Sequence, residues 1–110
     1  MSLREKIFAA KDLKEETVNV PEWDVDILLR AMGADEALAL TELTNKTPDD
    51  GMFLIVIYCA YDPSTGDKAF SLEDLPELKK KFMPVIDRLQ RVCLKLNGML
   101  RSQEDSLKKD

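Results

Sequence analysis

The chain has 110 residues, of which 45% are hydrophobic and 34% charged, with a net charge of −5; that size and balance fit one folded domain and exclude a disordered or collagen-like polymer. It contains no His, which removes His-based triads and the usual zinc sites. Its longest apolar run, the ten residues Met52–Tyr61, is about half of the ~20 residues that cross a bilayer. In chain order, Ser2 and Glu5 have the spacing of a capping box, which predicts a helix from about Leu3 to Lys11 within an N-terminal segment 1–15. Leu3, Ile7 and Phe8 are its apolar face, and no stretch there is apolar enough for a signal peptide. Residues 16–32 alternate between apolar and polar and predict a two-stranded antiparallel hairpin bent at Pro21 and Glu22. That bend sets Val20 opposite Trp23, Val18 opposite Val25 and Glu16 opposite Ile27. Val18, Val20, Trp23, Val25 and Ile27 then share an inner face, and Thr17, Asn19, Asp24 and Asp26 an outer one. Pro21 suits a type I or II turn better than the primed turns of tight hairpins, so a looser connection is also compatible.

Residues 34–100 read as a helical core. Gly33 and Asp35 open "ADEALALTELTNK", rich in helix formers. Its modest apolar face is Ala34, Leu38 and Thr41, or Leu38 and Leu43. Thr47, Pro48, Asp49 and Asp50 form a helix start signal, which favours reading "GMFLIVIYCAY" as a central buried helix over a buried strand. "DPSTGDKAF" is a turn. Ser71 and Asp74 repeat the capping-box spacing and predict a short helix to Phe82, with Pro76 tolerated in its first turn. Pro84 opens a last helix on which Val85, Ile86, Leu89, Val92, Cys93, Leu96, Met99 and Leu100 recur at helical spacing, with Asn97-Gly98 as a signal that ends or bends it. Residues 101–110 are expected to be a frayed polar tail. The expected fold is therefore mainly α (α+β): about five helices and one N-terminal two-stranded antiparallel hairpin, in a single domain over 1–110.

Charge is placed unevenly: residues 1–16 sum to 0, 17–50 to −6, 51–75 to −3 and 76–110 to +4. The acidic middle argues against nucleic acid as a partner. The basic last third reads as the solvated face of a helix, or as a contact for an acidic partner. Asp62, Ser64, Gly66, Lys68 and Glu73 fall at positions 1, 3, 5, 7 and 12 of a calcium loop, but the position that needs glycine holds Asp67 and Pro63 sits at position 2. Asp24 and Asp26 share a strand face as a carboxylate pair with no third ligand, and read as a solubilising surface. Cys59 and Cys93 lie in apolar runs without a CxxC pair and read as reduced packing residues. No P-loop, dinucleotide fingerprint or nucleophile elbow is present. The expectation is no enzyme, no cofactor, no metal and no catalytic residue.

Val18 to Trp23 ("VNVPEW"), Asp62 to Phe70 ("DPSTGDKAF"), Ser71 to Leu75 and Leu96 to Gly98, behind the opening "MSLREKIFAAKDLKEE", resemble the tail assembly chaperones of long-tailed (siphophage-type) bacteriophages and prophages. Asp24 departs from that pattern, which has glycine after the tryptophan, and Ala31 to Lys46 match loosely. The resemblance implies a non-enzymatic protein of the bacterial host cytoplasm, absent from the mature virion. It implies binding of the tape-measure protein and recruitment of the major tail tube protein during tail morphogenesis. A structural virion component, such as a head–tail connector or tube-associated protein, and a small regulatory protein-binding module remain as alternatives. The strand Trp23–Arg30 is expected at a sheet edge, with Trp23, Asp24, Asp26, Leu28 and Arg30 as partner-binding residues for tube protein or for a second copy in a homo-oligomer. Leu28, the one apolar residue on the outer face, either makes that contact or packs under the first helix. No membrane contact is expected.

Overall fold

A computed structural model describes residues 1–99; Leu100 and the tail expected over 101–110 lie outside the described residues. Five α-helices and a three-stranded sheet follow in the order α1 (Leu3–Ala9), β1 (Glu15–Val20), β2 (Val25–Arg30), α2 (Ala34–Lys46), α3 (Gly51–Cys59), β3 (Ala60–Tyr61), α4 (Leu75–Leu78) and α5 (Met83–Leu96). The mainly helical α+β reading stands, but the hairpin is two thirds of a sheet of order β1-β2-β3, antiparallel throughout. The third strand consists of the last two residues of the run expected to be helical. Pro63 disfavours helical backbone at Asp62, α3 stops at Cys59, and Ala60 is already extended at ψ 132°. The freed residues pair Ala60 with Leu29 and Tyr61 with Leu28.

The hairpin register also differs from expectation. Val20 pairs with Val25, Val18 with Ile27 and Glu16 with Leu29. Pro21–Trp23 form a single 3₁₀ turn, and Asp24 closes it in the left-handed region at φ 53°. The turn thus takes four residues, because Pro21 cannot enter a primed two-residue turn and the chain needs a left-handed residue to re-enter the sheet. Shifting by two residues preserves the faces, since side chains alternate with period two. Val20, Ile27 and Leu29 are buried, and Trp23 leaves the strand for the turn. Moreover β2 is central where Leu28 and Leu29 pair with β3, so the expectation that the whole of Trp23–Arg30 forms an edge is corrected there.

Burial centres on α3, where Phe53, Leu54, Ile55, Val56, Ile57 and Cys59 are all buried. Against it lies one face of α5, with Val85, Ile86, Leu89 and Cys93 fully enclosed at the periodic positions. The start of α3 is preceded by a 3₁₀ turn over Pro48–Asp50; Thr47 makes no side-chain cap bond there and instead donates its hydroxyl back to the Leu43 carbonyl at 3.1 Å. Both capping boxes are formed, Ser2 with Glu5 and Ser71 with Asp74. The latter opens a 3₁₀ turn, Leu72–Asp74, that runs into the four-residue α4, which ends at Leu78 rather than Phe82. Two apolar faces differ from expectation. On α2 the buried side is Leu40, flanked by half-buried Ala37 and Leu43, while Leu38 is 72% exposed. On α1 no residue is buried; Leu3 and Phe8 are 74% and 73% exposed, so this helix stands off the core it was expected to join.

Candidate partner-binding site

The turn at the hairpin tip positions the first candidate residues. Trp23 is half-buried and packs against the core, with the Lys81 ammonium 5.8 Å from its ring. Asp24 is exposed at the apex, its N–H donating to the Pro21 carbonyl at 3.2 Å. Asp26 accepts from the Asn19 amide across the pair at 2.8 Å, so the two aspartates are not a joint ligand set. Glu22 accepts from the Arg88 guanidinium at 2.7 Å, tying the turn to α5. That bond holds the Glu22 carboxyl below its usual range.

At the other end of β2 the geometry is different. Leu28 is half-buried in a central strand, between Thr17 of β1 and Tyr61 of β3. It packs under no part of α1, which buries nothing. Arg30 bonds Glu15 at 3.0 Å and lies 4.5 Å over the Tyr61 ring. The Lys68 ammonium sits 4.8 Å from the centre of the same ring. Two cations thus lie within about 5 Å of the Tyr61 ring and favour its place beside β2. Burial works against the charge on Lys68, but the Glu36 carboxylate at 2.7 Å and Tyr61 outweigh it and raise its pKa.

Because β3 pairs only with Leu28 and Leu29, no strand among the described residues lies beside the outer edge of β2 from Val25 to Ile27. A groove of about 640 Å³ opens there, walled by Trp23, Val25, Asp26, Phe70, Leu78 and Lys81. Of the five candidate residues, only Trp23 and Asp26 line it. Arg30 instead borders a separate cleft with Ala10, Lys11, Asp12 and Leu13. The fold thus distributes the five over the turn and β2 rather than gathering them on one surface.

The loop expected as a turn is one. Asp62 accepts from the Ser64 N–H at 2.9 Å and the Ser64 hydroxyl at 2.7 Å, which keeps its carboxyl below the usual range. Glu73, the would-be last calcium ligand, belongs to the 3₁₀ turn over Leu72–Asp74. Among the described residues no group of three or more His, Cys, Asp or Glu could hold a metal. Both cysteines are buried and free. The hydrogen bond between them pushes the Cys93 thiol up, with burial adding to it, and the Cys59 thiol down. Among the described residues of the basic last third, Lys79 pairs with Asp50, Arg88 with Glu22, Arg91 with Asp87 and Lys95 with Glu16.

Sequence reasoning used Asn97 only as a helix stop, yet it joins three segments. Its Oδ1 accepts from the Met32 N–H at 2.8 Å; its Nδ2 donates to the Cys93 carbonyl at 2.7 Å and lies 3.5 Å from the Cys59 sulfur. No local signal distinguishes such a residue from an ordinary cap. Also missed was a hollow of about 380 Å³ between α2, α3 and α5, floored by Leu40, Ile55 and Leu94. Among the described residues no helix is long and apolar enough to cross a membrane.

No protein-family model matches the chain, and no curated protein matches it. Among solved structures it is similar to the bacteriophage HK97 tail assembly chaperone, at 24% identity and a TM-score of 0.64, over 84% of this chain and 91% of that one. This protein therefore has the fold of a phage tail assembly chaperone.

Proposed function

We propose that this protein is a tail assembly chaperone of a long-tailed phage or prophage: in the host cytoplasm it binds the tape-measure protein, keeps it soluble, and helps bring tail tube protein to it. The observation that carries this reading is the shared fold over 84% of the chain, reached independently of the "VNVPEW" and "DPSTGDKAF" resemblance. The surface chemistry is compatible. A holding protein needs apolar surface without a partner and charge to stay dissolved, and α1 exposes Leu3, Ile7 and Phe8 on a chain of net charge −5. Fold alone does not fix function, so the reading is tested directly. Co-expression with the cognate tape-measure protein should move that protein from the insoluble to the soluble fraction. Equal insolubility with and without this chain refutes the chaperone role. Mass spectrometry of purified particles should find none of it; stoichiometric amounts there would make it a virion component. The groove beside Val25–Ile27 is the proposed docking place for tube protein, by strand addition to the uncovered edge of β2.

A further inference from the structure

Backbone direction shows what the open stretch of β2 offers. The Ala31 N–H points towards β1, where it meets the Lys14 carbonyl at 2.8 Å. Backbone groups alternate sides along an antiparallel strand, so Leu29, Ile27 and Val25 also face β1, while Leu28 and Asp26 face the other way. Leu28 meets Tyr61 there. Beyond Tyr61 the chain turns off: the Asp62 N–H bonds the Asp67 carbonyl and the Gly66 N–H the Asp62 carbonyl, both at 2.8 Å. The Asp26 N–H and C=O therefore face the groove with no strand opposite them among the described residues. The groove's lining is of two kinds. Ile27 and Leu78 belong to the core, and Trp23 and Phe70 pack against it; the carboxylates of Asp26, Asp62 and Asp67 are exposed. Among the described residues none of the three is in an ion pair. Of the two lysines in the lining, Lys68 is paired with Glu36, and Lys81 sits beside the Trp23 ring. The groove thus carries a surplus of negative charge.

We infer that this groove recognises an extended segment of a partner protein whose side chains alternate between apolar and basic, bound antiparallel to β2 with a lysine or arginine opposite Asp26. The unmatched Asp26 groups call for a strand, since main-chain bonds are what an open sheet edge supplies to a peptide. In an antiparallel pair, the residue that exchanges both bonds with Asp26 carries its side chain on the same face as Asp26. A basic side chain there meets the Asp26 carboxylate, in the field of Asp62 and Asp67. Its two neighbours turn to the opposite face, the one on which Ile27 is buried. Charge also favours a different protein over a second copy. Two β2 edges paired about this point would set Asp26 against Asp26, and like charges directly opposite each other are destabilising. The inference deepens the docking place proposed above, and only the naming of the partner as tube protein rests on that reading.

The test is an NMR titration of the isotope-labelled full chain with an end-blocked peptide, Ser-Thr-Val-Lys-Val-Thr-Ser. The amide signal of Asp26 should shift saturably. Exchanging the peptide's lysine for glutamate, or methylating that lysine's backbone nitrogen, should each weaken binding about threefold or more, since one removes the charge and the other the donor to Asp26. Methylating a valine nitrogen, which points away from β2, should not. On the protein side, Asp26→Asn with Asp67→Asn should weaken the lysine peptide about threefold or more. The charge-matched pair Glu42→Gln with Asp49→Asn, outside the groove, should not. All four positions are exposed, so both variants should melt near the parent; if the groove variant does not fold, the peptide exchanges decide alone. Absence of a saturable shift at Asp26, equal binding of the lysine and glutamate peptides, or indifference to methylation of the lysine nitrogen overturns the inference. Co-expression with tape-measure protein is read separately. Peptide failure beside a solubilised tape-measure protein removes this recognition pattern alone, whereas peptide binding beside an insoluble one keeps the pattern and refutes the chaperone role.

Discussion

Asp24 is the residue at which this chain departs from the pattern it otherwise resembles, and its backbone explains why the exchange is tolerated. The position is left-handed, at φ 53°, where glycine is free of strain and Asp and Asn are the next best residues. Asp24→Gly should therefore leave the melting temperature unchanged or raise it. Asp24→Val, with a branched Cβ, should destabilise by about 1–2 kcal/mol in urea unfolding. Equal effects of the two would show that the turn does not need the left-handed conformation. A core residue behaves differently. Leu89 is fully enclosed between α5 and the rest of the core, and Leu89→Ala should cost about 2–5 kcal/mol, since the cavity adds to the lost transfer energy. A loss under about 0.5 kcal/mol, the range of ordinary surface changes, would place Leu89 outside the core.

Among the elements, α1 is the exception to the rule that amphipathic helices bury their apolar stripe. It is capped at both ends of the Ser2–Glu5 box, with bonds of 3.2 Å, and buries nothing. The sheet begins only after it: the Ala31 N–H already donates to the Lys14 carbonyl at 2.8 Å. Removing residues 1–9 should hence leave the stability of the remainder within about 0.5 kcal/mol, as for other changes away from the core. A clear drop in the melting temperature would mean that α1 packs on the body. The hairpin turn is bound to α5 by the Arg88–Glu22 pair, and this gives stability a pH dependence. Glu22 is held below its ordinary 4.5 in the folded chain. A depressed carboxyl contributes stability that is complete above the unfolded pKa and lost as pH falls through the folded one. Melting temperature should therefore fall as pH drops below about 4.5, and Arg88→Gln should flatten part of that acid limb. Identical acid limbs would show that the pair contributes nothing to folding. Both partners are well exposed, so the effect is small.

For the whole molecule, the arrangement is a helical core, α3 against α5, with a small sheet at one side and an unpacked helix at the chain's start. Three surfaces differ in chemistry: the groove beside β2 carries both signs of charge, the hollow between α2, α3 and α5 carries none, and α1 is an exposed apolar helix on a segment of net charge zero. In the basic last third, read from sequence as the solvated face of a helix or as a contact for an acidic partner, Lys79, Arg88, Arg91 and Lys95 pair with Asp50, Glu22, Asp87 and Glu16. Such exposed pairs are worth little in stability, but they leave less free positive charge for a partner.

The existence and type of the long elements were legible from residue order alone, because periodicity and caps are local. Period two marked β1 and β2, the apolar repeat at Val85, Ile86, Leu89 and Cys93 marked α5, and two capping boxes marked helix starts. Pro21 likewise announced a turn looser than two residues. What local pattern could not supply was partnership. Whether Leu3, Ile7 and Phe8 find a core, whether α2 turns Leu40 or Leu38 inward, and whether β2 is an edge depend on residues far along the chain. Ala60 and Tyr61 become a strand because Leu28 and Leu29 offer them backbone bonds and because Arg30 and Lys68 both lie close to the Tyr61 ring. Those residues meet only once the chain has folded, so the third strand, the groove that its shortness leaves open and the uncharged hollow between α2, α3 and α5 were decided by tertiary structure.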